Sequence, residues 1–278
     1  MKKFLSFMLT AVLLVVLAAC GGGGEKEEES KTADGKTKLV VGASAIPHAE
    51  VLEEAKPLLA EKGIDLEIKV FQDYVLPNVA LKEKELDANY FQTPGYLELE
   101  MKDKGYDFVS VGEVHKEPIG IYSKKYKDLK DLPEGAKIIM SNSFSDHGRI
   151  LPIFEKAGLI KLKEGVGQNA RVEDIVENPK NLDFSTLIEA KLLATSFENG
   201  EGDAVAINTN YAIEGKVNIK EDGIAFEGSD VVPSNLIVVR KGDEGREEIK
   251  ALTEVLQSKE IQDFINEKYQ GAVIPAAQ

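Results

Sequence analysis

From Leu39 onward the chain alternates between two rhythms of apolar and polar residues. Short apolar or every-second-residue runs point to strands. Longer stretches with apolar residues every third or fourth position point to helices with one buried face. Strands are predicted at 38–43, 66–70, 108–111, 120–122, 137–140, 203–207 and 235–240. Helices are predicted at 48–62, 79–86, 96–104, 146–157, 186–197, 245–256 and 259–267. Val51, Leu52, Ala55, Leu58 and Leu59 carry the helical spacing of the first of these. Pro57 is expected to kink it, and Gly63 to end it. Strands alternating with helices indicate an α/β fold with mainly parallel sheets. Two βαβ-rich stretches flank Glu117-Pro118, which points to two lobes rather than one sheet, with the last helices packing back on the first lobe. There is no internal repeat.

The N-terminus follows neither rhythm. Lys2 and Lys3 precede an apolar run, 4–17, broken only by Ser6 and Thr10, and then Ala18, Ala19 and Cys20. A basic start, a short apolar stretch and small residues before a cut site define a secretory signal. The run is too short for a comfortable membrane span. Leu17-Ala18-Ala19-Cys20 also looks like a bacterial lipobox, with Cys20 as the lipidated residue. The expected processing is a signal at 1–19 and a lipidated tether at 20–38. The tether has a glycine run and clustered acids but no apolar periodicity, so it cannot bury enough surface to fold. These features place the mature protein on the extracytoplasmic face of the cell membrane, anchored by lipid.

Composition narrows the function classes. Cys20 is the only cysteine of the 278 residues, which excludes an intramolecular disulfide and any zinc site built on several thiolates. The formal net charge is -14, and loss of Lys2 and Lys3 makes it two units more negative. A nucleic-acid partner is not expected, because phosphate binding needs a basic surface. His48, His115 and His147 lie 67 and 32 residues apart and form no ligand motif, so no metal and no cofactor are expected. There is no G-x-S-x-G elbow, P-loop or dinucleotide fingerprint. An extracytoplasmic enzyme stays open as an alternative, since a triad is recognised only by geometry. A surface adhesin is a third class, and it predicts no deep cleft.

Several segments occur together in an order and spacing that resemble one family. They include Pro47-His48-Ala49-Glu50, Asp73-Tyr74, Pro77-Asn78, Leu86-Asp87-Ala88-Asn89, Phe91-Gln92 and His115-Lys116-Glu117-Pro118. Further on stand Gly148-Arg149, Lys156-Ala157-Gly158-Leu159-Ile160, Glu177-Asn178-Pro179-Lys180-Asn181-Leu182 and Asn208-Thr209-Asn210-Tyr211-Ala212. The chain resembles the methionine-binding lipoproteins of the NlpA/MetQ family over essentially its whole mature length. The resemblance implies a two-lobed periplasmic-binding-protein fold of type II with the ligand clamped between the lobes. The lobe limits are expected at 39–118 plus 226–278 and at 119–225. It also implies an ABC permease and ATPase as partners, and a monomeric binder. L-methionine is the favoured ligand; D-methionine, a methionine-containing dipeptide or a related amino acid are the alternatives.

The candidate ligand-binding residues are Tyr74, Phe91, Thr93, Glu117, Asp146, Arg149 and Asn208. Arg149 is placed in the first turn of a helix, where a guanidinium can hold a carboxylate bidentately and free backbone N–H groups add to the attraction. Gly148 beside it permits close approach. As a surface residue it would instead pair with Glu155 or Asp146. Asn208 and Asn210 follow an apolar strand; one is expected to touch ligand and the other to cap a helix, with Asn208 chosen for the ligand. Tyr74 and Phe91 match the family's apolar pocket, where a thioether packs well on aromatic edges; Tyr96 is either wall or core. Two departures bear on specificity. Many members have Phe-Gln-His where this chain has Phe91-Gln92-Thr93, so Thr93 replaces the pocket histidine. Many also read Thr-Asn-x-Gly-Arg where this chain reads Ser145-Asp146-His147-Gly148-Arg149. Asp146 is either a partner for an ammonium or an N-cap, and His147 is a candidate to fill the missing histidine's space. Glu117 is expected to face the cleft from the crossover between lobes.

Overall fold

The structure is a computed structural model that describes residues 35–276; the expected signal, Cys20 and most of the tether lie outside the described residues. The first lobe opens with β1 (Thr37–Ser44), α1 (Glu50–Glu61), β2 (Ile64–Phe71), α2 (Leu76–Lys82), β3 (Ala88–Gln92), α3 (Pro94–Lys104) and β4 (Phe108–Lys116). The second lobe holds β5 (Gly120–Tyr122), β6 (Lys137–Ser141), α4 (Phe144–Lys156), β7 (Lys161–Leu162), β8 (Ile175–Glu177) and β9 (Asp183–Ile188). It continues with α5 (Leu193–Glu198), β10 (Ala204–Ile207), α6 (Thr209–Glu214), α7 (Ile219–Asp222) and β11 (Gly223–Phe226). The chain then returns to the first lobe as β12 (Ser234–Arg240), α8 (Glu247–Leu256), α9 (Lys259–Tyr269) and β13 (Ile274–Pro275).

Two mixed sheets result. The first has the order β13-β4-β12-β3-β1-β2, and the second the order β11-β5-β10-β6-β9. In the first, β12 runs antiparallel between β3 and β4, while β1 pairs in parallel with β2 and β3. In the second, β5 alone is reversed, pairing antiparallel with β10 and β11. Each lobe has its own apolar core. That of the first lies between the sheet and α1, α8 and α9, with Leu52, Leu59, Val41, Ile237, Leu252 and Ile265 fully buried. That of the second packs α4 onto β6 and β10 through Ile150, Leu151, Phe154, Ile138 and Met140. Among the described residues no helix is long and apolar enough to cross a membrane.

Several predicted bounds shift for local reasons. The helix at 79–86 starts earlier and stops at Lys82, because Pro77 fits the first helical turn and Lys84 adopts a positive φ of 63° that ends it. The helix predicted at 186–197 is wrong in its first half. Residues Asp183–Ile188 form β9 at the sheet edge, parallel to β6, and helix resumes only after Glu189. The alternation of Phe184, Thr186 and Ile188, all at least partly buried between exposed Ser185 and Leu187, was the period-two signal there. Helix α1 runs on through Pro57 to Glu61. The boundary expected at 225/226 falls inside β11, whose last residue, Phe226, pairs with Gly120. The chain passes between the sheets at 117–119 and again at 227–233.

Candidate functional site

The cleft between the lobes holds a narrow cavity of about 40 Å³. All seven expected site residues border it. Tyr74 follows β2, Phe91 lies on β3 and Thr93 precedes α3, so the first lobe supplies an aromatic side. Asp146 and Arg149 on α4, with Asn208 at the end of β10, supply a polar side from the second lobe. Glu117 enters from the first crossing.

The aromatic side is a cluster rather than a flat wall. Tyr74 lies 6.0 Å from Phe91 and 5.9 Å from Tyr96 between ring centroids, and Phe91 lies 6.0 Å from Tyr96. These are ordinary separations for tilted and edge-on aromatic pairs. The Tyr96 hydroxyl donates to the Tyr74 carbonyl oxygen at 3.0 Å, so Tyr96 both borders the cavity and braces Tyr74. Tyr74 also reaches across the cleft. Its hydroxyl donates to Asn210 Oδ1 at 2.6 Å, and its ring lies 5.0 Å from Tyr211. Burial pushes its pKa well above the usual tyrosine value, so the hydroxyl keeps its proton and acts as a donor.

The polar side differs from the sequence expectation in four respects. Helix α4 begins at Phe144, so Arg149 sits in the second turn, away from the free N–H groups of the helix start. Its guanidinium is already engaged. Nε donates to both oxygens of Glu227 at 3.1 Å, Nη2 donates to Glu227 Oε2 at 2.5 Å, and Nη2 also donates to the Glu117 carbonyl oxygen at 2.7 Å. Neither Glu155 nor Asp146 is its ion-pair partner. Among the described residues Nη1 alone of the three guanidinium nitrogens has no hydrogen bond, so Arg149 offers one free nitrogen and not a two-pronged fork. Burial acts to lower the Arg149 pKa, but the hydrogen bonds and charge of Glu227 more than offset it and hold it raised. Gly148 makes room for protein, not ligand: a Cβ there would stand 1.8 Å from the Gln168 carbonyl oxygen. His147 does not border the cavity; it is buried and its Nε2 bonds to the Ser141 carbonyl oxygen at 2.9 Å.

The two asparagines divide their work differently from the expectation. Asn208 occupies the N-cap position of α6 but makes no side-chain cap. It donates through Nδ2 to Asp146 Oδ1 at 3.2 Å, which answers what Asp146 does inside the protein: Ser143 holds the N-cap position of α4. Asn210 lies within α6 and caps nothing; it takes the Tyr74 bond. Asn208 Oδ1 and Asn210 Nδ2 are both buried and have no partner. One is an acceptor and the other a donor, and both residues border the cavity. Buried polar atoms of this kind are costly unless something pairs them.

Glu117 stands in a network that the sequence did not foretell. Its Oε1 lies 2.6 Å from His115 Nε2, 3.3 Å from Asn235 Nδ2 and 3.4 Å from His48 Nε2. His48 Nε2 bonds to Asn235 Oδ1 at 3.0 Å, and the Tyr90 hydroxyl bonds to His115 Nδ1. The histidine spacing along the chain gave no motif, yet folding brings two of the three rings to 4.8 Å between centroids. Burial drives the His48 pKa down to about 4 and that of His115 down to about 3, so both are neutral at pH 7. Burial raises the Glu117 pKa, against the opposing pull of His48 and Arg149. His48, Asn235 and Glu227 are the residues of the site that sequence reasoning missed, and Asn210 is one to which it gave another role. His48 stood inside a quoted segment without a ligand role, and Asn210 was expected to cap a helix rather than to line the site. Asn235 and Glu227 carried no signal, since one is a single polar residue within β12 and the other a single acid just after β11.

A family model for the NlpA lipoproteins matches residues 39–277. The methionine-binding lipoprotein MetQ of Bacillus subtilis is 53% identical over 247 residues, spanning 88% of this chain and 90% of the relative. The D-methionine-binding lipoprotein MetQ of Salmonella typhimurium is 40% identical over 86% of this chain and 87% of its own. Among solved structures, a putative methionine-binding lipoprotein from Bacillus subtilis superposes with a TM-score of 0.84 at 52% identity, covering 87% of this chain and 98% of the other. A nutrient-binding protein from Burkholderia cenocepacia bound to methionine gives 0.81 at 39% identity, covering 86% and 100%. With its two mixed sheets, its interlobe cleft and a match across nearly the whole described chain, this protein belongs to the NlpA lipoprotein family.

Proposed function

We propose that the protein captures methionine, L-methionine foremost, in the interlobe cleft and delivers it to the permease and ATPase of an ABC importer. The observation that carries this reading is the pairing of an aromatic cluster on one lobe with unsatisfied amides on the other, around one cavity. The ligand ammonium is assigned to Glu117 and Asn208 Oδ1, with Asp146 behind Asn208. The ligand carboxylate is assigned to Arg149 Nη1 and Asn210 Nδ2. The thioether packs among Tyr74, Phe91 and Tyr96, with Thr93 at the edge where many relatives carry histidine. The relatives are named or described as methionine binders, and a substrate-binding role without catalysis fits a site built from positioned hydrogen-bonding groups. Lipid attachment at Cys20, an extracytoplasmic location and a monomeric state complete the reading. Calorimetry of the purified protein with L-methionine, D-methionine, glycyl-methionine and leucine tests it. Tight one-to-one binding of L-methionine, recovered chemically unchanged, is expected. Failure of every methionine compound to bind, or turnover of any of them, refutes the proposal.

A further inference from the structure

His48, His115 and Glu117 come from three places in the chain: the turn before α1, strand β4 and the first crossing. All three are buried, and their potential ligand atoms lie within 4.8 Å of one another. We propose that these three side chains, completed by Asn235 Oδ1, bind one divalent ion of the zinc class beside the cleft. The spacing of the donors supports it. A tetrahedral ion with bonds of ~2.0–2.1 Å keeps its donors roughly 3.3 Å apart. The separations here are 3.4 Å from His48 Nε2 to Glu117 Oε1 and 3.0 Å from His48 Nε2 to Asn235 Oδ1. The 2.6 Å between His115 Nε2 and Glu117 Oε1 has to widen by only ~0.7 Å to admit the ion.

The surroundings of the donors support it as well. Metal-bound imidazoles usually hold their other ring nitrogen in a hydrogen bond that fixes ring and tautomer. The Tyr90 hydroxyl occupies that place on His115 Nδ1, and its oxygen can accept from Nδ1–H when Nε2 turns its lone pair to the ion. Without an ion, His48 Nε2–H donates to Asn235 Oδ1; binding moves that proton to the buried, unpartnered Nδ1, so that Nε2 presents its lone pair. Two imidazoles, one carboxylate and one amide oxygen suit zinc, cobalt or nickel better than magnesium or calcium, which prefer all-oxygen shells. The ion has a route in, because His48, Glu117 and Asn235 border the cavity. An ion here takes the Glu117 carboxylate that the proposed function gives to the ligand ammonium. Metal and methionine are therefore mutually exclusive, and this last point rests on that reading.

The test uses the full chain, purified without a polyhistidine tag and stripped with EDTA. Titration with zinc chloride by calorimetry should give one ion per chain, and cobalt chloride should give the visible bands of a tetrahedral site. His48→Gln and Glu117→Gln should each weaken zinc by about tenfold or more, while His147→Gln, away from the cavity, should leave it unchanged. Absence of one-to-one zinc binding by the wild-type protein overturns the site. So does unaltered zinc binding by folded His48→Gln. Saturating L-methionine should weaken zinc by at least about tenfold. Zinc binding that is lost in His48→Gln but indifferent to bound methionine supports the metal site and refutes the role of Glu117 in the methionine reading. Methionine binding without zinc binding does the reverse.

Discussion

Tyr74→Phe removes one hydroxyl and keeps the ring that packs on Phe91, Tyr96 and Tyr211. The hydroxyl makes a 2.6 Å bond across the cleft to Asn210 Oδ1, and Asn210 is buried, with its Nδ2 already lacking a protein partner. Without Tyr74 the acceptor is stranded too. Leaving a buried polar atom unpaired costs about 1–3 kcal/mol. That penalty falls on the closed arrangement alone, because in an opened cleft both groups reach water. If the ligand-free protein is mostly open, the whole penalty appears in ligand affinity, as a loss of roughly 5- to 150-fold. The unfolding free energy of ligand-free protein should move by no more than ~0.5 kcal/mol, as for a surface change. Calorimetric titration with L-methionine and urea unfolding of the same preparations measure the two quantities. Unchanged affinity refutes the cross-cleft bond as a contributor to closure. An equal loss in ligand-free stability refutes the claim that it forms only on closing.

Three further outcomes follow from particular contacts. The Arg149–Glu227 pair is buried, so removing either partner strands a charge and should cost about 3–5 kcal/mol of stability. The double variant Arg149→Met with Glu227→Leu should be less destabilised than the sum of the singles in urea unfolding, and simple additivity contradicts the pairing. His48 and His115 are held neutral, with pKa values pushed down to about 4 and about 3 from 6.5. Their contribution is complete above pH 6.5 and is lost as pH falls, because the unfolded chain takes up protons first. At pH 5 each imidazole withdraws about 2 kcal/mol. Glu117, with its raised pKa, opposes this, since its folded form takes up a proton first on acidification. Urea unfolding at pH 7 and pH 5 should show a net loss, and a flat profile contradicts the buried neutral state. Gly148→Ala drives a Cβ to 1.8 Å from the Gln168 carbonyl oxygen, which should lower stability by about 1–3 kcal/mol and the melting temperature with it.

What could be read from the residues divides along a physical line. Periodicity located most strands and helices because each element must bury one face, and that constraint is local. It failed at Asp183–Ile188, where an edge strand meets a helix and the two periods overlap within a few residues. The seven candidate residues were singled out through family resemblance, and all of them line one cavity. Their partners were not legible. Nothing in the sequence around Phe226 says that Glu227 will reach Arg149, because the pairing spans 78 residues. Nor does the distance from His48 to His115 say that the rings will meet across β1 and β4. Hydrogen-bond geometry made by folding decides which nitrogen of Arg149 is left for a ligand, and no pattern of residue types encodes that.

The strand order of the first lobe sets a timetable for synthesis. Strand β12 lies between β3 and β4, yet it is Ser234–Arg240, more than a hundred residues after β4. Until that segment emerges, the first lobe is a three-stranded piece of sheet, β3-β1-β2, and an unpaired β4, and α8 and α9 are not there to cover its core. The second lobe draws all five strands of its sheet from Gly120–Phe226, so it can be completed while the first is still waiting. Because long-range pairings of this kind are slow to form, the nascent chain stays incompletely folded until late in translation. That delay suits the export proposed from the N-terminal sequence, since a translocation channel would have to receive the chain before its first lobe can close.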